Sequence, residues 1–368
     1  MNNRKTPFDE MSGIEKREKK EYSHTLEALI EESGHSVKRM LSMMIKAMAW
    51  NDLSGMYIHA FHEASEELEG VEYNERDLSD FITANSGIPM ESDEECALGV
   101  YSGILLDLLT RRRRKEGKKS VVKIEGAGKE FHYLFYYAKN FDEVYISNIE
   151  GDKICSRMGS HSGSGNFIVL NNVNGNFIAD TVGYSSGKVN MVVINNSRGI
   201  MAGNSIAERG SAGLIVLNSI NAAGDIGCAI AKEGEAGTVI LNNLNGDRIG
   251  DYCGSAKGKI GNIAYLSIKA KESVGEFVPD YESEIGKMII LDSHVKNRNV
   301  GAEFSGFGRS EIITEQENEK AERALEETGI KEIILLADEM GKFGAERYEE
   351  YAHKIYCSYK MAGGKYAF

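Results

Sequence analysis

"LNNVNG" starts at Leu170, "INNSRG" at Ile194, "LNSINA" at Leu217 and "LNNLNG" at Leu241. Four near-copies at a fixed spacing mean stacked supersecondary units rather than one irregular domain. The apolar-plus-Asn signature extends on both sides. Ile146-Ser147-Asn148 precedes the four copies, and Leu266-Ser267-Ile268 and Leu291-Asp292-Ser293 follow them. From Ile146 the steps are 24, 24, 23, 24, 25 and 25 residues, and Ile124-Glu125-Gly126 reads as a degenerate first copy.

Other columns keep the same step. Ile154, Ile178, Ala202, Ile226, Ile249 and Val274 recur near the eighth place after the anchor. Each is followed by a small residue: Cys155, Ala179, Gly203, Gly227, Gly250 and Gly275. Gly163, Gly187, Gly210, Gly234 and Gly258 form a further column. Residues 124–311 hold 27 of the 40 glycines, a density that helical repeats would not tolerate. The apolar runs "NFIVL", "MVVI", "LIVL" and "TVIL" are short, β-branched and bounded by Asn and Gly, as strands closed by turns are.

These features predict a right-handed parallel β-solenoid over 119–311, its hand set by the preference of parallel crossovers. At about 4.8 Å per coil, seven or eight coils make a rod of roughly 35 Å. Asn171, Asn195, Asn218 and Asn242 would stack at a bend and bond amide to amide along the axis. The glycine columns mark positive φ or close backbone approach.

Coils of this length resemble right-handed parallel β-helices. The stretch "GDRIGDYCGSAKGKIGNI" (Gly246–Ile263) is similar to the glycine-rich solenoid domain of glutamate synthase and of formylmethanofuran dehydrogenase. The gap from Ile249-Gly250 to Gly258-Lys259-Ile260 is longer than in that pattern. The resemblance implies a fold class, covers at most half the chain and carries no catalytic residue over.

The flanks read as helical. Residues 1–118 form an N-terminal domain, with Val37, Met40, Leu41, Met44, Ile45 and Met48 as one apolar stripe. Asn74 or Asp77 starts a helix through Phe81, and Ser92 starts another through Leu109. Residues 312–368 form a C-terminal cap. There Thr314 and Glu317 fit a capping box, Gly329 a helix stop, and Ala345–Tyr359 a second helix with Tyr348, Tyr351, Ala352 and Ile355 as its apolar face. "IKEIILLADEM" fits a strand or a helix. Caps are expected because the open ends of a solenoid expose unpaired strand edges. The layout resembles scaffold proteins of the sulfur-mobilisation iron–sulfur assembly system, although no motif supports that likeness.

A chain of 368 residues with 42% hydrophobic residues has ample length for a core. Its net charge of −13 argues against a nucleic-acid coat or a protein that binds anionic membranes with its whole surface. No apolar stretch is long enough to span a bilayer, and "MNNRKTPFDEMSG" has no signal-peptide character. Five cysteines without a C-x-x-C motif read as free thiols, so a cytoplasmic location is expected.

Several constellations invite chemistry. His59 and His62, with Glu63 and Glu66 four residues on, could share a metal, but they match no zinc-protease motif and read more simply as two helix-surface pairs. The tenth column carries Ser156, Asp180, Asn204, Cys228, Asp251 and Glu276. Asp180, Asp251 and Glu276 are catalytic candidates, because Asp251 and Glu276 on adjacent coils would lie about 5 Å apart, near the carboxylate separation of retaining glycosidases. Structural carboxylates are the simpler reading. Cys228 and Cys253 fall on neighbouring coils, and His161 lies in a Gly/Ser-rich loop. Arg111, Arg112, Arg113 and Arg114 end a helix whose C-terminal dipole favours cations, and could otherwise meet phosphate.

No cofactor is implied. The expected function is a non-enzymatic scaffold or protein-interaction protein, a homo-oligomer held through its helical flanks. The alternative is a carbohydrate-active hydrolase or lyase using the acidic column.

Overall fold

A computed structural model describes residues 24–50, 53–276, 278, 283–295, 298–299, 311–314 and 317–364. Four helices open the chain: α1 (His24–Trp50), α2 (Leu53–Glu67), α3 (Glu75–Asn85) and α4 (Ser92–Lys115). Strands follow: β1 (Val121–Glu130), β2 (Asn140–Glu150), β3 (Ser164–Asn174), β4 (Lys188–Asn195), β5 (Arg198–Gly199), β6 (Ser211–Ala222), β7 (Glu235–Ile249), β8 (Lys259–Leu266), β9 (Lys269–Val274), β10 (Glu284–Leu291), β11 (His294–Val295), β12 (Arg298–Asn299) and β13 (Glu311–Thr314). Three helices close it: α5 (Asn318–Glu327), α6 (Ile330–Met340) and α7 (Tyr348–Met361).

The long strands pair in the order β1-β2-β3-β4-β6-β7-β8-β10-β13, every pair parallel. This is a parallel β-solenoid of about seven turns with helices at both ends of the chain. The degenerate first copy is genuine, because Ile124 pairs with Ile146. One alignment shifts by a residue. Tyr265, not Leu266, stacks on Leu241, so Leu266 follows Asn242 in the asparagine column and Leu291 follows Leu266. The amide column therefore stops at Asn242.

The paired asparagines of "LNN" divide their work. The first of each pair builds the ladder: Asn195 Nδ2 donates to Asn171 Oδ1 (3.0 Å), Asn218 to Asn195 (2.8 Å) and Asn242 to Asn218 (2.7 Å). Asn171, Asn195 and Asn218 are buried. The residue after each turns the corner in the left-handed region, with φ of 52° at Asn172, 51° at Asn196, 54° at Ser219 and 50° at Asn243.

Beyond that corner the coil returns through a zigzag in which alternate residues have positive φ, such as Lys153, Cys155, Arg157 and Gly159. Left-handed non-glycine residues cost roughly 1–3 kcal/mol each, so an isolated coil would not hold this shape. Stacking offsets the cost. The N–H of Lys153 donates forward to Asn176 O and that of Arg157 to Asp180 O, while Cys155 and Gly159 donate back to Leu134 O and Ala138 O. In the Cys155 column a side chain would also meet the core. A Cβ on Gly227 would lie 2.8 Å from the Leu217 side chain, and Gly203, Gly227 and Gly250 all have positive φ. In the Gly163–Gly258 column the constraint is instead backbone approach to the coil before.

The main sheet is buried on both faces. Ile146, Leu170, Ile194, Leu217 and Leu241 fill the interior, while Val169, Val193, Val216 and Ile240 face outward into a second core. Helices α5–α7 supply that second core through Ile330, Ile333, Ala337, Tyr348, Ile355 and Tyr359. The C-terminal cap is thus a cover laid along the sheet, reaching from Lys123, paired with Glu349, to Lys287, paired with Glu327. The ladder fastens it: Asn171 Nδ2 donates to Tyr348 Oη (2.6 Å), Asn195 to Ala337 O (3.0 Å) and Asn218 to Asp338 (2.8 Å).

The ambiguous "IKEIILLADEM" is helix α6, because Ile330, Ile333, Ala337 and Met340 form one buried stripe. The Thr314–Glu317 capping box does not form. Thr314 belongs to β13, and Glu317 makes no side-chain cap bond to α5. At the other end Asn74 and Asp77 together make a capping box on α3. The long helix α4 crosses the first bend of the solenoid, where a Cβ on Gly103 would sit 2.6 Å from Tyr136 O. Met40 is buried, whereas the side chains of Met44 and Met48 lie outside the described residues.

Replacing Asn195 and Asn218 together by Leu would take the side-chain donors away from Ala337 O and Asp338 and break three ladder bonds. Denaturant unfolding should show a loss of roughly 2–5 kcal/mol. Asn172→Ala, on the exposed neighbouring column, should cost less than about 1 kcal/mol.

Candidate functional site

The tenth column is chiefly a row of backbone acceptors. Ser156 Oγ accepts from Asp180 N (3.3 Å), Asn204 Oδ1 from Cys228 N (2.9 Å) and Asp251 Oδ1 from Glu276 N (2.8 Å). Short polar side chains recur there because each satisfies an N–H of the next coil. Asp251 is buried, and its other oxygen accepts from Ser273. Burial raises the Asp251 carboxyl above its ordinary range, against those two donors. Glu276 is exposed. Asp180 lies three coils before Asp251, about 14 Å away at the usual strand spacing.

Asp180 is set apart from the column. Among the described residues no hydrogen bond to its carboxylate is found. Burial pushes its pKa up to about 6, opposed by Arg157 and Lys153 and reinforced by Glu208. Near it stand aromatic and cationic groups of the first coils. The Arg157 guanidinium bonds Tyr137 Oη (2.8 Å), Lys153 lies over the Tyr133 ring, and Phe177 is exposed. His161 stacks on Tyr137 and meets Tyr184 edge-on. Burial, then the charges of Lys139 and Arg157, hold His161 below its ordinary pKa.

The remaining sequence candidates stay apart. His59 and His62 are exposed on α2, 3.8 Å from Glu63 and 3.5 Å from Glu66. Each arginine of the basic run has an internal acceptor: Arg111 on Asp107, Arg112 on Val71 O and Tyr73 O, Arg113 on Glu75, and Arg114 on Asp142. The buried Cys253 thiol donates to Gly227 O, and burial pushes the Cys228 thiol up to about 12.

Two clusters had no signal in the sequence. At the seam between β2 and α7 the buried Glu143 accepts from Tyr145 Oη (2.8 Å), pairs with Lys119 (3.2 Å) and meets His353 Nε2 (3.2 Å). With Glu349 and His353 it brings three metal-type ligand atoms within 4.8 Å of one another. Lys119 and Lys123 already neutralise the two carboxylates, so the cluster reads as an ion-pair joint.

The second cluster lines a cleft of about 330 Å³ between the α3–α4 connection and the first bend of the solenoid. Gly87 N donates to Glu130 O and closes one end. Met90, Leu98 and Phe131 give apolar walls, while Asn85, Glu95, Glu130 and His132 give polar ones. His132 Nδ1 accepts from Asp152 N (3.1 Å), so its Nε2 carries the proton toward Glu130 (2.7 Å). Glu95 and His132 stand 37 residues apart and meet only because α4 crosses the bend.

No protein-family model, curated protein or solved structure matches this chain.

A carboxyl whose folded pKa exceeds its unfolded value favours the folded state at low pH. That advantage is complete below about pH 4 and is lost as pH rises through about 6. Asp180→Asn should therefore gain stability relative to the parent between pH 4 and pH 8, by at most about 3 kcal/mol. Urea unfolding at the two pH values measures this, and a carboxyl NMR titration should place the Asp180 midpoint near 6.

Proposed function

We propose that the protein is a non-enzymatic scaffold or protein-interaction protein of the cytoplasm, built on its solenoid and acting as a homo-oligomer. The observation that supports this most is how the fold uses its chemically suggestive residues. Most of the tenth column, the arginine run and the asparagines act as internal hydrogen-bonding groups. All five cysteines are free, which suits a reducing compartment. Among the described residues no helix is long and apolar enough to cross a membrane.

The Tyr348, Tyr351 and Tyr359 face is consumed inside the chain, so it does not offer an oligomer interface. Exposed apolar groups remain on the flanks: Ile58 on α2, Leu335 on α6 and Met361 on α7. Closed symmetric assembly is the common way to bury such groups.

A second reading, a polysaccharide hydrolase or lyase, draws on Asp180. Burial pushes the Asp180 pKa up to about 6, which gives the carboxyl the character of a general acid.

Light scattering on the full chain at micromolar concentration should report an oligomer, and Leu335→Glu with Met361→Glu should lower its mass. A panel of acidic and neutral polysaccharides should show no cleavage. A monomer that cleaves a glycan, with the activity lost in Asp180→Asn, would replace the scaffold reading with the enzymatic one.

A further inference from the structure

A second cleft, between α2 and the end of α4, gathers cations that the fold matches only in part. Phe61 and Ser65 of α2 line it together with Leu108, Arg111, Arg112 and Lys115 of α4, around a volume of about 450 Å³. The spacing explains the grouping. Phe61 and Ser65, Leu108 and Arg112, and Arg111 and Lys115 are each four residues apart, so each pair shares a helix face. Phe61 and Leu108 are half-buried against the main core and make the apolar part of the lining. The Arg111 guanidinium lies 4.4 Å from the centre of the Phe61 ring, which holds the cation beside that apolar part. Asp107 accepts from its Nε (2.8 Å) and Nη2 (3.4 Å), while its Nη1 makes no hydrogen bond among the described residues. Arg112 donates to two backbone carbonyls, Val71 O and Tyr73 O, and no carboxylate pairs with it among the described residues. The Lys115 ammonium is exposed and has no partner among the described residues.

We propose, independently of the scaffold and hydrolase readings, that this cleft binds a small amphiphilic carboxylate. One carboxylate oxygen would accept from Arg111 Nη1 and the other from Lys115 Nζ, and the alkyl body would lie on Phe61 and Leu108. Like charges four residues apart on one helix face repel, and an anion between Arg111 and Lys115 turns that repulsion into attraction. The chain as a whole carries a net charge of −13, so a cationic lining over apolar side chains is a local feature that selects for an anion with an apolar body. Glu116 also lines the cleft, held by Lys118 (3.1 Å) and Arg113 (3.4 Å). Its carboxylate disfavours a second negative charge on the ligand, which selects a carboxylate over a phosphate monoester. A cleft of about 450 Å³ falls within the range of small-molecule sites.

The test uses the full chain and calorimetric titration with hexanoate, with hexan-1-ol as the neutral control, acetate as the head without the body, and hexyl phosphate as the dianion. The expected result is saturable binding of hexanoate, at least about tenfold tighter than either hexanol or acetate. Lys115→Glu reverses an exposed, unpartnered charge and should weaken hexanoate at least about tenfold, while Ser65→Trp should weaken it by filling the cleft. Circular dichroism checks that each variant keeps its fold. If Lys115→Glu does not fold, Lys115→Gln takes its place with an expected weakening of at least about threefold. No binding of hexanoate up to about 10 mM overturns the assignment, as does affinity unchanged in the Lys115 variant. Hexanol binding as well as hexanoate, or hexyl phosphate binding more tightly, overturns it too. None of these results bears on the oligomer or on glycan cleavage, which are read separately.

Discussion

Everything in this structure depends on each coil lying in register on the next. The backbone between the corner and the next strand spends alternate residues in the left-handed region, a conformation that no single coil could keep. Its N–H groups reach alternately to the coil before and the coil after, so the strained segment exists only within a stack. The stacked anchors accordingly keep steps of 22 to 25 residues. A residue lost or added within a paired strand would shift its side chains relative to their columns, whereas the 23-residue step from Ile194 to Leu217 shows the segments between strands taking up such a change.

The asparagine ladder shows how one column serves two partners. Asn195 and Asn218 each accept from the coil after and donate to the coil before, while the same amides also donate outside the sheet. Helices α6 and α7 take up those donors at Ala337 O, Asp338 and Tyr348. The apolar outward residues of the strands supply the burial, and the ladder supplies the position. A buried amide satisfied on both sides is well tolerated, while the same amide left unpaired would be costly, so helix and ladder require each other.

The same economy explains why so much apparent chemistry is structural. Short acceptors in the tenth column hold N–H groups of the following coil. The arginines at the end of α4 hold the helices together, as Arg113 does on Glu75 of α3, and tie them to the first coils through Arg114 on Asp142. The first coils carry the Asp180 surface, with its tyrosines and basic groups, and the cleft beneath α4.

The sequence by itself determined the coil period, the parallel stacking, the amide ladder and the helical character of both flanks. Each of these rests on local rules repeated many times: glycine where a Cβ would collide, asparagine at a corner, β-branched residues in a sheet. It also held a signal for two-sided burial, since "FIVL", "MVVI" and "LIVL" are continuous apolar runs rather than alternating ones, as strands covered on both faces are. Tertiary structure decided the rest. That Tyr265 and not Leu266 continues the stack depends on which side chain fits above Leu241. That α5–α7 lie along the sheet, and that Asn85, Glu95 and His132 share one cleft, depends on contacts between segments far apart in the chain. No periodicity encodes such contacts, because they are set by the shape of two surfaces that exist only after each has folded.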